Sequence, residues 1–125
     1  MQISPLTIYA VQTLRAIHAG GRLSIDEIAR QLDISFAYAR KATWALKNAG
    51  LLKANRGGRG GYELVPPFDR ITARQVLEAT EGILGPQEKD TRDMARIRRG
   101  LHERICAGLE APVLDRQEQR ARALP

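Results

Sequence analysis

Residues 35–65 read SFAYARKATWALKNAGLLKANRGGRGGYELV, and this stretch decides the fold. Its first half has the marks of a helix. Ser35 is a good N-cap, and Ala39, Ala42, Leu46 and Ala49 gather on one face at about 100° per residue. Gly50 is placed to take the left-handed conformation that ends many helices. The second half holds two short strand-like runs, Leu51-Leu52-Lys53-Ala54-Asn55 and Tyr62-Glu63-Leu64-Val65, on either side of Arg56-Gly57-Gly58-Arg59-Gly60-Gly61. Four glycines within six positions cannot fill a core; between two strands they read as the tip of a hairpin. Pro66-Pro67 stops the second strand.

Upstream, Ser24-Ile25-Asp26-Glu27 is a capping box: the Ser24 hydroxyl accepts from the Glu27 amide and the Glu27 carboxylate reaches back. It opens a short helix with Ile25, Ile28, Ala29 and Leu32 on its apolar face, and Asp33-Ile34 is the turn before Ser35. Two helices joined by so short a turn, the second of them basic, make a helix-turn-helix. Before them, Ile8, Val11, Leu14 and Ile17 predict a first helix that Gly20-Gly21 ends.

Downstream, Thr72-Ala73-Arg74-Gln75 is a second capping box, leading a helix through Val76, Leu77 and Ala79 to Gly82. A polar connection follows, and Met94, Ile97, Leu101, Ile105 and Leu109 then mark a long amphipathic helix ending near Pro112. The expected division is a body over 1–82, a loop over 83–93, a long helix over 94–112 and a polar tail over 113–125. The fold class is mainly α with a small β-hairpin. The apolar stripe follows a complete small domain and has little left to cover it, so a second copy of the chain is the expected cover.

The 125 residues fit one compact domain with a small oligomerising appendage. No run approaches the roughly 20 apolar residues of a membrane span, and the N-terminus has no basic-then-apolar leader, so a cytoplasmic location is expected. Between Arg30 and Arg59 stand seven basic residues and one acid, Asp33, which equals the whole +6 net charge of the chain. From Pro86 onward nine basic and seven acidic residues nearly cancel, as on a solvated helix face. The footprint for a polyanion therefore lies mid-chain.

On the helix after Ser35, Lys41 and Asn48 lie nearly opposite the small residues, with Trp44 between them and Arg40 and Lys47 on the flank. Arg and Lys suit guanine edges and phosphates, Asn suits adenine, and a helix fits the major groove. The alternative is a solvated basic face with Trp44 packed on a neighbouring helix. The hairpin favours nucleic acid, because glycines permit close approach while Arg56 and Arg59 carry charge suited to a narrow minor groove. A phosphate-binding loop is excluded: no Lys-Ser or Lys-Thr pair follows the glycines, and a strand rather than a helix comes next.

Ser35-x-x-Tyr38, Asn48-Ala49-Gly50-Leu51, Arg56-Gly57-x-x-Gly60-Gly61-Tyr62-x-Leu64, Pro66-Pro67, Ile71-Thr72 and Glu81-Gly82 follow one another in that order. The pattern resembles the Rrf-two family of bacterial winged-helix transcription regulators, which includes the iron–sulfur cluster regulator and a nitric-oxide-sensing repressor. The resemblance implies a homodimer, a repressor by analogy, on a partly palindromic operator of double-stranded DNA. It assigns Ser35, Tyr38, Arg40, Lys41 and Lys47 to a recognition helix in the major groove and Arg56 to a wing in the minor groove. Arg40 stands where the iron–sulfur cluster regulator has an acidic residue, so base preference should differ.

Cluster-binding relatives place three cysteines between the Glu-Gly pair and the long helix, where Ile83 to Asp93 here hold neither Cys nor His. One cysteine, Cys106, with His18 and His102 is a poor ligand set, and no cofactor or metal is expected. Cys106 reads as a small helix-flank residue, with a redox-sensing thiol or a disulfide across a dimer axis as the alternative. No nucleophile–base pair emerges among the scattered carboxylates Asp26, Glu27, Asp33 and Glu63, so an enzyme is not expected. The rival is a winged-helix module that holds RNA or protein.

Overall fold

The computed structural model describes residues 3–56, 60–82 and 89–114, with the Cys106 side chain outside that description. Gly57, Gly58 and Arg59 of the hairpin tip, most of the connecting loop and the tail from residue 115 also lie outside it. Five α-helices and one hairpin are described: α1 Pro5–Gly20, α2 Ile25–Leu32, α3 Phe36–Asn48, β1 Leu52–Asn55, β2 Gly61–Leu64, α4 Ala73–Glu81 and α5 Arg92–Gly108. A 3-10 turn, Phe68–Arg70, lies between β2 and α4.

The predicted caps form. Ser24 Oγ accepts from Glu27 N–H at 3.2 Å and Glu27 Oε1 accepts from Ser24 N–H at 3.1 Å. Those bonds, led by the Ser24 amide, hold the Glu27 carboxyl below its ordinary pKa. Thr72 and Gln75 close the second box. The turn between α2 and α3 is carried by Asp33, which adopts φ 55° and donates its N–H to Ala29 and Arg30 carbonyls. Gly50 takes φ 79°, as its position predicts.

The core joins Leu14 and Ile17 of α1, Ile28 of α2, Leu46 of α3, Leu51, Leu52, Phe68, Ile71 and Val76. Each such side chain contributes about 1.5–3 kcal/mol over leaving it in water. Thr13 and Thr43 are also fully buried, and each hydroxyl is satisfied by donating at 2.7 Å to the carbonyl four residues earlier, Tyr9 and Ala39. Ile8 departs from the predicted stripe and is 48% exposed; α1 instead buries Thr7, Ala10, Thr13, Leu14, Ala16 and Ile17.

Two further corrections concern the C-terminal part. The long helix stops at Gly108, four residues before the expected end near Pro112, so Leu109 is not on its stripe. Residues 109–114 turn back onto α4: Leu109 and Ala111 carbonyls accept from Arg74 and Ala73 N–H at 3.0 and 3.1 Å, and Val113 N–H donates to Ile71. The cause is the start of α4, whose first N–H groups lack partners within the helix and find them here. Val113 and Leu114 pack on the core rather than beginning a polar tail.

The hairpin pairs Leu52 with Leu64, Lys53 with Glu63, Ala54 with Tyr62 and Asn55 with Gly61. Its base is fastened to the segment entering α2 by a two-way bridge: Leu23 N–H donates to Tyr62 at 3.1 Å and Tyr62 N–H to Leu23 at 2.7 Å. Gly61 makes this approach possible, because a Cβ there would lie 2.9 Å from the Leu23 carbonyl carbon and oxygen. Gly61→Ala must therefore push the hairpin off the body. Denaturant melts should show a loss of about 1–3 kcal/mol, whereas wild-type stability would show that the bridge is dispensable.

Candidate nucleic-acid interface

The small residues of α3 settle which side chains face outward. Ala39, Ala42, Thr43 and Leu46 are fully buried, so Phe36, Arg40, Lys41, Trp44, Lys47 and Asn48 are left on the exposed side. Ser35 caps this helix, its hydroxyl accepting from Tyr38 N–H at 3.1 Å. Tyr38 is half-buried, its ring edge-on to Tyr9 of α1 at 4.9 Å and 79°. Trp44 is 45% exposed rather than packed on a neighbouring helix, and the Arg40 guanidinium sits over its ring at 4.0 Å from the centroid.

The cations divide into two groups. Among the described residues, Arg40, Lys41, Lys47 and Arg56 have no carboxylate partner. Lys53, counted within the basic stretch, is instead engaged at 2.9 Å by Glu63, which also meets Arg22 at 3.4 Å. The Lys53 hydrogen bond is the main cause of a Glu63 carboxyl held below its ordinary pKa. Arg56 is exposed at the end of β1, and Arg59 lies outside the described residues.

Phe36 was not among the sequence-predicted site residues. It is 49% exposed at the first position of α3. The signal was available: eleven residues separate Phe36 from Lys47, which at about 100° per residue puts both on one flank.

The second surface belongs to α5. Met94, Ile97, Leu101 and Ile105 are 44%, 53%, 49% and 39% exposed, and no described side chain of that helix is buried. The helix is tied to α4 by His102 Nε2 to Glu78 at 3.4 Å, and the segment after it by Arg74 to Glu110 at 2.8 Å.

A three-helix body with a helix-turn-helix and a bridged hairpin, followed by a long helix, is the winged helix-turn-helix architecture of bacterial transcription regulators. The profile of the Rrf2 family, described as an iron-dependent transcriptional regulator, matches residues 3–119, and the chain belongs to that family. It is 38% identical over 71 residues to the HTH-type transcriptional regulator CymR of Bacillus subtilis, covering 57% of this chain and 51% of that protein. A putative HTH-type transcriptional regulator of Synechocystis is 34% identical over 97 residues, with 71% of this chain and 66% of that protein covered. The chain thus spans about half to two thirds of these relatives. Among solved structures, CymR, the global cysteine regulator of B. subtilis, superposes with a TM-score of 0.60 at 29% identity, over 87% of this chain and 92% of that one. The T. potens IscR structure gives 0.66 at 22% identity, over 100% and 92%, a likeness of fold. The named relatives are regulators, and the family is not one of enzymes.

The family description invokes iron, but the donors of this chain do not fit an iron–sulfur cluster. Its sequence holds one cysteine, where such clusters need several thiolates or histidines. His18 is stacked on Phe68 at 4.7 Å, at the far end of α1, and His102 is turned to Glu78. Among the described residues no group of three His, Cys, Asp or Glu side chains is placed to hold a metal ion. Protein purified without oxygen should be colourless and iron-free by metal analysis. A visible cluster band that disappears in Cys106→Ser would overturn this.

Proposed function

We propose that the chain is a homodimeric, sequence-specific regulator of transcription that binds double-stranded DNA, with α3 in the major groove and the hairpin wing at the minor groove. The carrying observation is the exposed face of α3, where Arg40, Lys41 and Lys47 have no carboxylate partner among the described residues and stand beside Trp44. Unpaired cations on a helix that is free along one side suit phosphates and guanine edges, whereas Lys53 and Arg22 are neutralised locally. The repressor role and a cytoplasmic setting follow from the analogy with the family; no described helix is long and apolar enough to cross a membrane.

Tyr38 and Ser35 take supporting roles in this reading, Ser35 by capping the helix and Tyr38 by bracing its start against Tyr9. Arg40 is the base-reading residue and Lys47 a phosphate contact, while Arg56 and Arg59 serve the wing. Titrations on a selected site and on random duplex at several salt concentrations separate these roles. Arg40→Ala should cost about 1–3 kcal/mol on the selected site and much less on random duplex. Lys47→Ala should weaken both alike and reduce the salt slope by about one phosphate's worth. Equal loss on every sequence in Arg40→Ala would demote Arg40 to a phosphate contact, and preference for single-stranded RNA over duplex DNA would replace the regulator reading with the interaction-module one.

The partner for α5 is a second copy of the chain. Its four half-exposed apolar residues form a single stripe, and covering them returns on the order of 1 kcal/mol each, doubled by two-fold symmetry. Sedimentation at micromolar concentration should give a dimer. Leu101→Glu with Ile105→Glu should give folded monomers with weakened site binding; a wild-type monomer that grips palindromic DNA tightly would sink the proposal.

A further inference from the structure

We propose that Trp44 is a positioning residue that sets sequence preference through Arg40: its indole is a platform holding the guanidinium flat, so that the edge carrying the N–H groups is aimed before DNA arrives. The inference deepens the DNA-binding reading above and rests on it. Two observations support it. The Arg40 guanidinium carbon lies 4.0 Å from the centre of the Trp44 ring. The ring is 45% exposed, which is large for a tryptophan that serves only packing.

The chemistry follows from the shape of the guanidinium. It is planar, its faces are weakly hydrated, and its N–H donors all lie in the plane of its edge. Stacking on an aromatic ring uses a face and leaves that edge free, whereas a salt bridge to a carboxylate would use the edge itself. Among the described residues no carboxylate pairs with Arg40, so the edge keeps its donors. Two parallel N–H groups at a fixed angle match the O6 and N7 acceptors of guanine. Residues four apart share one helix face, so the platform and the reader belong to the same rigid element and move together into the groove. A free arginine would lose rotamer freedom on binding, and a stacked one has lost it in advance.

The test compares Trp44→Leu, Trp44→Phe, Arg40→Ala and Arg40→Ala/Trp44→Leu in competition binding. Each competes for the selected site and for variants carrying the other base pairs at the position where Arg40→Ala flattens preference. Trp44 is exposed enough that these variants should fold, and thermal melts establish this first. Wild type should prefer guanine by about tenfold or more. Trp44→Leu should remove most of that preference, the double variant should be no worse than Arg40→Ala alone, and Trp44→Phe should fall between wild type and Trp44→Leu. Trp44→Leu should lower selected-site affinity more than random-duplex affinity. Preference that survives Trp44→Leu overturns the platform, and so do losses that add in the double variant, which would make Trp44 an independent DNA contact. A wild type that treats all duplexes alike sinks the regulator reading and this one with it; a selective wild type untouched by Trp44→Leu sinks only the platform.

Discussion

The contact between α1 and α3 governs the rest of the molecule. α3 meets its neighbours through Ala39, Ala42, Thr43 and Leu46, and three of these four are small enough to bring the helices close. A close seat on one side leaves the opposite side with nothing to pack against, and that free side is where Arg40, Lys41, Trp44 and Lys47 stand. The polar member, Thr43, is tolerated because its hydroxyl is satisfied by the Ala39 carbonyl within its own helix. A larger residue at Ala39 or Ala42 would lift α3 as a body, and with it the Leu46 and Leu51 contacts that place the hairpin.

Local signals in the sequence were sufficient for most of this. Both capping boxes, the Ser35 cap and the left-handed Gly50 depend on residues within a few positions of one another, and all four form. The faces of α3 were legible for the same reason, except at its end: Ala49, expected on the packed face, caps the helix and is exposed. The stripe on α1 misled because strict three-residue steps do not follow a helix: each step falls short of a full turn by about 60°. Over the nine residues from Ile8 to Ile17 the shortfall reaches about half a circle. Ile17 is consequently in the core while Ile8 is at the surface. A stripe that mixes steps of three and four, as in α5, does not drift in this way.

What the sequence did not disclose depended on distant partners. Lys53 was counted in the basic stretch, yet the hairpin register sets it across from Glu63. Tyr38, which matches a family motif on the recognition helix, sets its ring edge-on to Tyr9, a partner remote in sequence. Leu109 continued the apolar period of α5, while the first N–H groups of α4, which have no acceptor within their own helix, drew its carbonyl, and the chain around it, away from the helix. Periodicity reports what a segment can bury, and it carries no record of which backbone groups elsewhere need an acceptor.

That return segment makes α4 the joint between the body and the long helix. At one end, Glu81 accepts from the Ser4 amide and hydroxyl and from Thr7, pinning the close of α4 to the start of α1. These bonds, the Thr7 hydroxyl foremost, hold its carboxyl below the ordinary glutamate pKa, so the clasp is complete at neutral pH and loosens only as acid passes that lowered value. At the other end, Leu109, Ala111 and Glu110 hold the start of α4, and Glu78 meets His102 from the middle. The place of α5 relative to α3 is thereby set by short bonds on both sides of one nine-residue helix. In the proposed dimer, a two-fold axis on α5 then fixes how far apart the two copies of α3 lie, and two half-sites on one face of DNA must be separated by about 34–36 Å or a multiple of it. On the proposed reading, spacing belongs to α4 and its clasps and base choice to the outer face of α3. A substitution in either can alter one property and leave the other intact.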